Sequence, residues 1–202
     1  MNKFIVFEGL DKSGKSKHAK MLAEHFENFG KKVLYLDEEF DCRVTKETKK
    51  LITKHKEELN SLQKFLLTCA ILQSQILEVI QPALKEGKIV ITKNFHGHTL
   101  ANFCYGEYLY FQFAYNAIKE IILGCRPGLI IFLDIPVDVS LNKLKRKNAK
   151  NLEIKTDAFY QRVQSGLFEI SKLENWVNID ANHEIETVHK KILDLLFIKN
   201  NM

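Results

Sequence analysis

Phe4-Ile5-Val6-Phe7-Glu8-Gly9-Leu10-Asp11-Lys12-Ser13-Gly14-Lys15-Ser16 is the stretch that decides the fold. Residues 9–16 satisfy the phosphate-loop pattern G-x-x-x-x-G-K-[S/T]. Residues 4–7 are an unbroken apolar run suited to a buried parallel strand, and after the loop Ala19, Leu22, Ala23 and Phe26 recur at helical spacing. Strand, loop and helix thus come in the order the motif requires. Gly9 and Gly14 let the backbone wrap close to oxygens, so that successive N–H groups and a helix N-terminus face phosphates. Lys15 is placed to reach the β and γ phosphates of ATP, and the Ser16 hydroxyl to hold magnesium. Gly9, Leu10, Asp11, Lys12, Ser13, Gly14, Lys15, Ser16 and Lys17 are therefore the expected ATP-binding residues.

Outward from this unit, strand-like runs at 33–36, 89–92, 129–134 and 176–180 alternate with helical stretches. The helices are expected over 61–85, 111–123, from 137, over 157–172, and from 185 to 196. Such alternation argues a parallel sheet covered on both faces, an α/β three-layer sandwich. There are no internal repeats or low-complexity linkers, so residues 1–202 are expected to form a single domain. Basic residues concentrate only at K-L-K-R-K-N-A-K, residues 143–150. Beside a phosphate loop that run reads as a lid at about 143–156 closing over ATP, or else as the solvated face of a helix.

With 202 residues, 46% hydrophobic and 27% charged, the chain suits one core and leaves no room for a second catalytic domain. Met1-Asn2-Lys3 runs directly into the first strand, and no apolar run approaches the ~20 residues of a membrane span. The expected setting is the cytoplasm, without a membrane anchor. The formal charge of +5 comes from lysines spread along the chain, which does not suggest a nucleic-acid partner. Cys42, Cys69, Cys104 and Cys125 are scattered without a C-x-x-C pair, so reduced thiols are expected. His96-Gly97-His98 has no evident third ligand and reads as a loop histidine pair near phosphates. Tyr105, Tyr108, Tyr110, Phe111, Phe113 and Tyr115 read as core or partner interface, or else as the lining of a base pocket.

With these elements in place, the chain resembles the thymidylate kinase family over nearly its whole length. The residues that carry the resemblance are 4–16, I-Q-P-A-L-K-E-G at 80–87, R-P-G-L-I-I-F-L-D-I-P at 126–136 and I-D-A-N-H-E-I-E-T-V at 179–188. The resemblance implies the P-loop nucleoside monophosphate kinase type of sandwich, and transfer of the γ-phosphoryl group of ATP to dTMP. It also implies magnesium and usually a homodimer. On the donor side it sets Asp180, Ala181 and Asn182 near the adenine, and Lys12 in the place of an arginine aimed at the phosphates. Asp11 matches a carboxylate that contacts the sugar of the monophosphate. Lys12, Lys15 and a lid cation, Arg146 among Lys143, Lys145, Lys147 and Lys150, form the expected catalytic set.

The acceptor side departs from the family pattern. Where the family ends strand three with Asp-Arg and an aromatic or histidine, this chain reads Lys93-Asn94-Phe95. Where it has an arginine after strand two, this chain has Asp37-Glu38-Glu39-Phe40-Asp41. The positions that stack on and read thymine fall near Thr68 and Leu72. Asp11, Glu38, Lys93 and Asn94 remain the acceptor candidates, with Arg43, Lys46 and His96 as further possibilities. For the metal, Ser16 is joined by Asp134, a strand-end carboxylate that alternatively only shapes the site, and by Glu8. Two other readings stay open: a nucleotide binder that has lost transfer, and a kinase for another acceptor in which Asp37 or Glu38 takes a hydroxyl proton.

Overall fold

A computed structural model describes residues 3–37, 43–147 and 155–200. Among them a five-stranded, wholly parallel sheet runs in the order β2-β3-β1-β4-β5. The strands are β1 (Phe4–Glu8), β2 (Val33–Leu36), β3 (Ile89–Lys93), β4 (Leu129–Asp134) and β5 (Val177–Asp180). All five residues of β1 are buried, because this central strand is covered on both faces. Its side chains alternate: Phe4 and Val6 join one core, Ile5 and Phe7 the other.

The second core lies under α1 (Lys15–Asn28) and the last helix, α9 (Ile185–Asn200). Ala19, Leu22, Ala23 and Phe26 are all buried there, as their spacing predicts. The larger first core lies on the other face. The first helix in chain order on that side is α2 (Arg43–Lys54), which buries only Thr45 and adds no residue to this core, and which the sequence reading did not anticipate because its lysine-rich exposed face hides the period. Next come α3 (Ser61–Gln75), a π-helical turn at Ile76–Ile80 and α4 (Gln81–Lys85), forming one rod over the predicted span. Asn60 starts this rod with a capping box, exchanging hydrogen bonds with Gln63 at 2.9 and 3.0 Å. After β3 come α5 (His96–Leu100), a second π turn at Ala101–Gly106 and α6 (Phe111–Ile121). Finally, α7 (Val137–Lys147) and α8 (Asp157–Leu173) lie between β4 and β5.

The rod of residues 61–85 is long and apolar enough to cross a membrane, which corrects the expectation that no segment approaches that length. One side of it is spent on the core, through Phe65, Cys69, Leu72, Ile76, Val79 and Ile80. Part of the expected lid, residues 148–154, lies outside the described residues, as do Glu38 and Cys42. The described cysteines are free and buried, and burial pushes the thiols up to about 12 for Cys69 and about 11 for Cys104 and Cys125.

The helix after β1 covers one face, whereas those after β3 cover the other. Between the carboxyl ends of these neighbouring strands a crevice must open, where open α/β sheets bind ligands.

Candidate active site

The loop between β1 and α1 sits at that crevice. Gly9 has φ 147° and Gly14 φ 97°, conformations that side chains rarely adopt. At Gly9 a Cβ would lie 2.5 Å from the Leu133 carbonyl oxygen and 2.8 Å from Ser13 Oγ, so no other residue fits without displacing β4. Lys15 is buried and folds back across the loop, donating to the carbonyls of Gly9 at 2.8 Å and Leu10 at 2.7 Å. Ser13 Oγ is buried with no hydrogen-bond partner among the described residues. An orphaned hydroxyl, a buried ammonium and a glycine cradle fit the phosphates of a nucleotide. From α7, Ser140 Oγ donates to the Asp11 carbonyl at 2.7 Å, which ties the helix leading into the basic segment to the loop.

Parallel register builds the other half of the site. Phe7 pairs with Lys93 and Leu36 with Thr92, so the end of β3 stands between the phosphate loop and Asp37, the residue after β2. Lys93 Nζ donates to Ser16 Oγ at 2.9 Å and lies 2.8 Å from Asp37 Oδ1. Beside this bridge opens a cavity of about 290 Å³, lined by Leu36, Asp37, Lys49, Thr68, Ile71, Leu72, Gln75, Val79, Ile80, Thr92, Lys93, Asn94, Phe95, His98 and Thr99. Thr68 and Leu72, one helical turn apart on α3, both face it. The sequence reading missed Lys49 and Gln75; His98, which it placed in a loop pair near phosphates, lines the cavity. Lys49 was one lysine among several on α2, and only the packing of α2 on α3 singles it out. Asn94 takes a left-handed conformation, φ 54°, with its N–H on the Phe7 carbonyl at 3.0 Å.

On the opposite side of β1, Ala181 N–H donates to the Asp134 carbonyl at 2.8 Å, so residues 180–182 sit at the ends of β4 and β5. Asp180 accepts from Asn182 N–H at 2.9 Å and pairs with His183 at 3.0 Å. The loop thus has the ends of β4 and β5 on one side and the cavity on the other.

A family model for thymidylate kinase matches residues 7–192. The chain belongs to the thymidylate kinase family. A thymidylate kinase of Pelotomaculum thermopropionicum is 31% identical over 196 residues, covering 95% of this chain and 91% of that protein. Another, from Kosmotoga olearia, is 28% identical over 193 residues, with 94% and 93% covered. A probable thymidylate kinase of Thermococcus kodakarensis is 29% identical over 206 residues, with 96% of each chain covered. As a member of the thymidylate kinase family, this chain is a phosphotransferase with nucleotide substrates.

Several candidates differ in place from the sequence reading. His96 is 1% exposed and opens α5, with Nε2 2.7 Å from Glu174 Oε2, an oxygen that also accepts from Trp176 Nε1 at 2.9 Å. It is therefore a core residue and not part of a loop histidine pair near phosphates. Although burial acts the other way, the bonds from His96 and Trp176 hold the Glu174 carboxyl below its usual range. Arg43 and Lys46 lie on α2 and do not line the cavity. Lys17 and Arg146 are exposed.

The carboxylates expected near a metal are engaged elsewhere. Asp134 Oδ1 accepts from Gln164 Nε2 at 2.9 Å, Asp37 is paired with Lys93, and buried Glu8 accepts backbone N–H groups. No group of three metal-ligating side chains occurs among the described residues. Ser16 Oγ itself is 2.9 Å from an ammonium. A magnesium ion about 2.1 Å from the same oxygen would stand within roughly 5 Å of that ammonium, a repulsion of about 7 kcal/mol at an effective dielectric of 20. As arranged, these residues do not fit a resident divalent ion.

Proposed function

We infer that this chain transfers the γ-phosphoryl group of ATP, taken up as its magnesium complex, to deoxythymidine monophosphate. The observation that carries this reading is the Lys93 bridge, which joins the phosphate loop to the cavity: Nζ lies 2.9 Å from Ser16 Oγ and lines the cavity wall. Donor phosphates held on the loop and an acceptor held in the cavity would meet beside this ammonium.

An oxygen of the acceptor phosphate attacks the γ phosphorus. The bond from that phosphorus to the β–γ bridging oxygen breaks, and its electron pair stays on departing ADP. The attacking oxygen is already anionic, so no general base is needed and Asp37 can remain paired with Lys93. Lys12 and Lys15 neutralise the phosphoryl group, with Arg146 brought in by the lid at about 143–156. Gly9, Leu10, Ser13, Gly14, Ser16 and Lys17 hold the phosphates; Asp180, Ala181 and Asn182 approach the adenine. Asp11 serves the acceptor sugar, and Lys93 and Asn94 its phosphate; Glu38 is also assigned to the acceptor. Asp134 orients Gln164 at the same strand ends.

We propose further that the whole chain works as one domain, in the cytoplasm, as a homodimer. An exposed stripe of Leu62, Leu66, Ala70 and Leu77 along the α3 rod, beside exposed Phe113, supports the dimer.

Purified protein given magnesium and ATP with each nucleoside monophosphate and free nucleoside tests this reading. Deoxythymidine diphosphate is the expected product; its absence, with or without product from another acceptor, overturns it. One observation favours the reading in which transfer is lost: no arginine lines the cavity among the described residues. Losing a charge-assisted arginine contact to a phosphate costs about 2–5 kcal/mol.

A further inference from the structure

We propose that Lys93, which stands between the loop and the acceptor cavity, serves the donor phosphates as well as the acceptor phosphate and is a built-in counter-cation for the former, making nucleotide binding by this chain largely independent of a divalent ion. The inference rests on the reading of residues 9–16 as an ATP site.

The Ser16 hydroxyl is the loop group that a divalent ion would use. Here it accepts from the Lys93 ammonium at 2.9 Å. The ammonium belongs to the last residue of β3, held by backbone pairing one strand away from the loop, and its side chain is only 11% exposed. It is therefore aimed, unlike a surface lysine that would reach the phosphates only by chance. Its partner Asp37, 2.8 Å away, is 55% exposed, so the pair is closed towards the loop and open towards solvent. When phosphates arrive, the ammonium can turn from the hydroxyl onto their oxygens without leaving the site, and most of its desolvation is already made. Among the described residues Asp134 is tied to Gln164 and Glu8 to backbone N–H groups, and no group of three metal-ligating side chains occurs.

The test is direct titration of ATP by calorimetry, with magnesium and with a chelator, on wild type, Lys93→Met, Lys93→Arg and the distant control Lys172→Met. For wild type and the control, chelation is expected to weaken binding by less than about threefold, because one charge-assisted contact is already in place. For Lys93→Met, metal-free binding falls about 10- to 100-fold while binding with magnesium stays within about threefold, the ratio expected for one bond to a charged group. Lys93→Arg keeps the wild-type pattern. Loss of wild-type binding by more than about tenfold on chelation, or an unchanged metal-free affinity in Lys93→Met, overturns the assignment. Should Lys93→Met fail to fold, the two wild-type titrations decide alone. Failure of wild type to bind ATP under both conditions overturns the ATP site itself, and the role of Lys93 with it.

Discussion

Glu8 Oε1 accepts the backbone N–H of Phe95 at 3.0 Å, so the residue preceding the phosphate loop holds the turn that follows Lys93 and Asn94. The same oxygen takes the Gly97 N–H at 3.1 Å, and Oε2 the His98 N–H at 3.2 Å. Donor loop and acceptor wall are thus one hydrogen-bonded unit. Glu8→Ala leaves three N–H groups without this acceptor, those of Phe95 and Gly97 buried and that of His98 partly so, and should destabilise the fold by about 3 kcal/mol in urea unfolding.

The pH dependence of the same residue has a definite sign. Burial pushes the Glu8 carboxyl above its ordinary 4.5, against the pull of His96, the backbone bonds and Lys15. The folded state therefore holds this proton more tightly than the unfolded state. Glu8 stabilises the fold most below pH 4.5, and that contribution is lost as the pH rises through the folded value. Urea unfolding of wild type and Glu8→Gln from acid to neutral pH should show the wild-type advantage shrinking upward. An advantage that grows with pH would contradict this.

His18, in the first turn of α1, behaves oppositely. Burial, then neighbouring His189 and Lys17, push its imidazole from 6.5 down to about 4. The His189 ring stacks at 5.9 Å. The unfolded state binds the proton first, so stability present above pH 6.5 is lost as the pH falls towards about 4. His18→Asn should flatten that acid limb in thermal melts; an identical limb in the variant would refute the assignment.

Gly97 is required by space. A Cβ there would come within 2.1 Å of Trp176 Cη2. Gly97→Ala should expel the indole, break its bond to Glu174 and cost about 1–3 kcal/mol. Trp176 is the single tryptophan of the chain, so its fluorescence reports the change as a red shift.

Lys15→Ala should weaken ATP binding on the order of 100-fold, since it removes a charge-assisted phosphate contact. Unchanged affinity by calorimetry would sink the donor-site reading.

Leu66 is 50% exposed at the middle of the apolar stripe on the α3 rod. If that stripe is the dimer face, Leu66→Glu buries an unpaired charge and should convert the dimer to monomer in light scattering. A monomeric wild type would refute the dimer.

What the sequence determined by itself was whatever depends on neighbours along the chain. The unbroken apolar run of β1, the glycine spacing of residues 9–16 and the apolar face of α1 are local, so the strands, most of the helices and the phosphate loop were legible in it. The tertiary structure alone decided which side chains meet across the sheet. Parallel register brings Lys93 to Ser16, 77 residues away, and the packing of α2 on α3 brings Lys49 to the wall of the cavity. His96 illustrates the same limit: its partner Glu174 is 78 residues distant, and only burial on both elements turns a surface-looking motif into a core contact. Local spacing carries information about backbone conformation, whereas the pairing of charges depends on distances set by strand order, and those are a property of the whole fold.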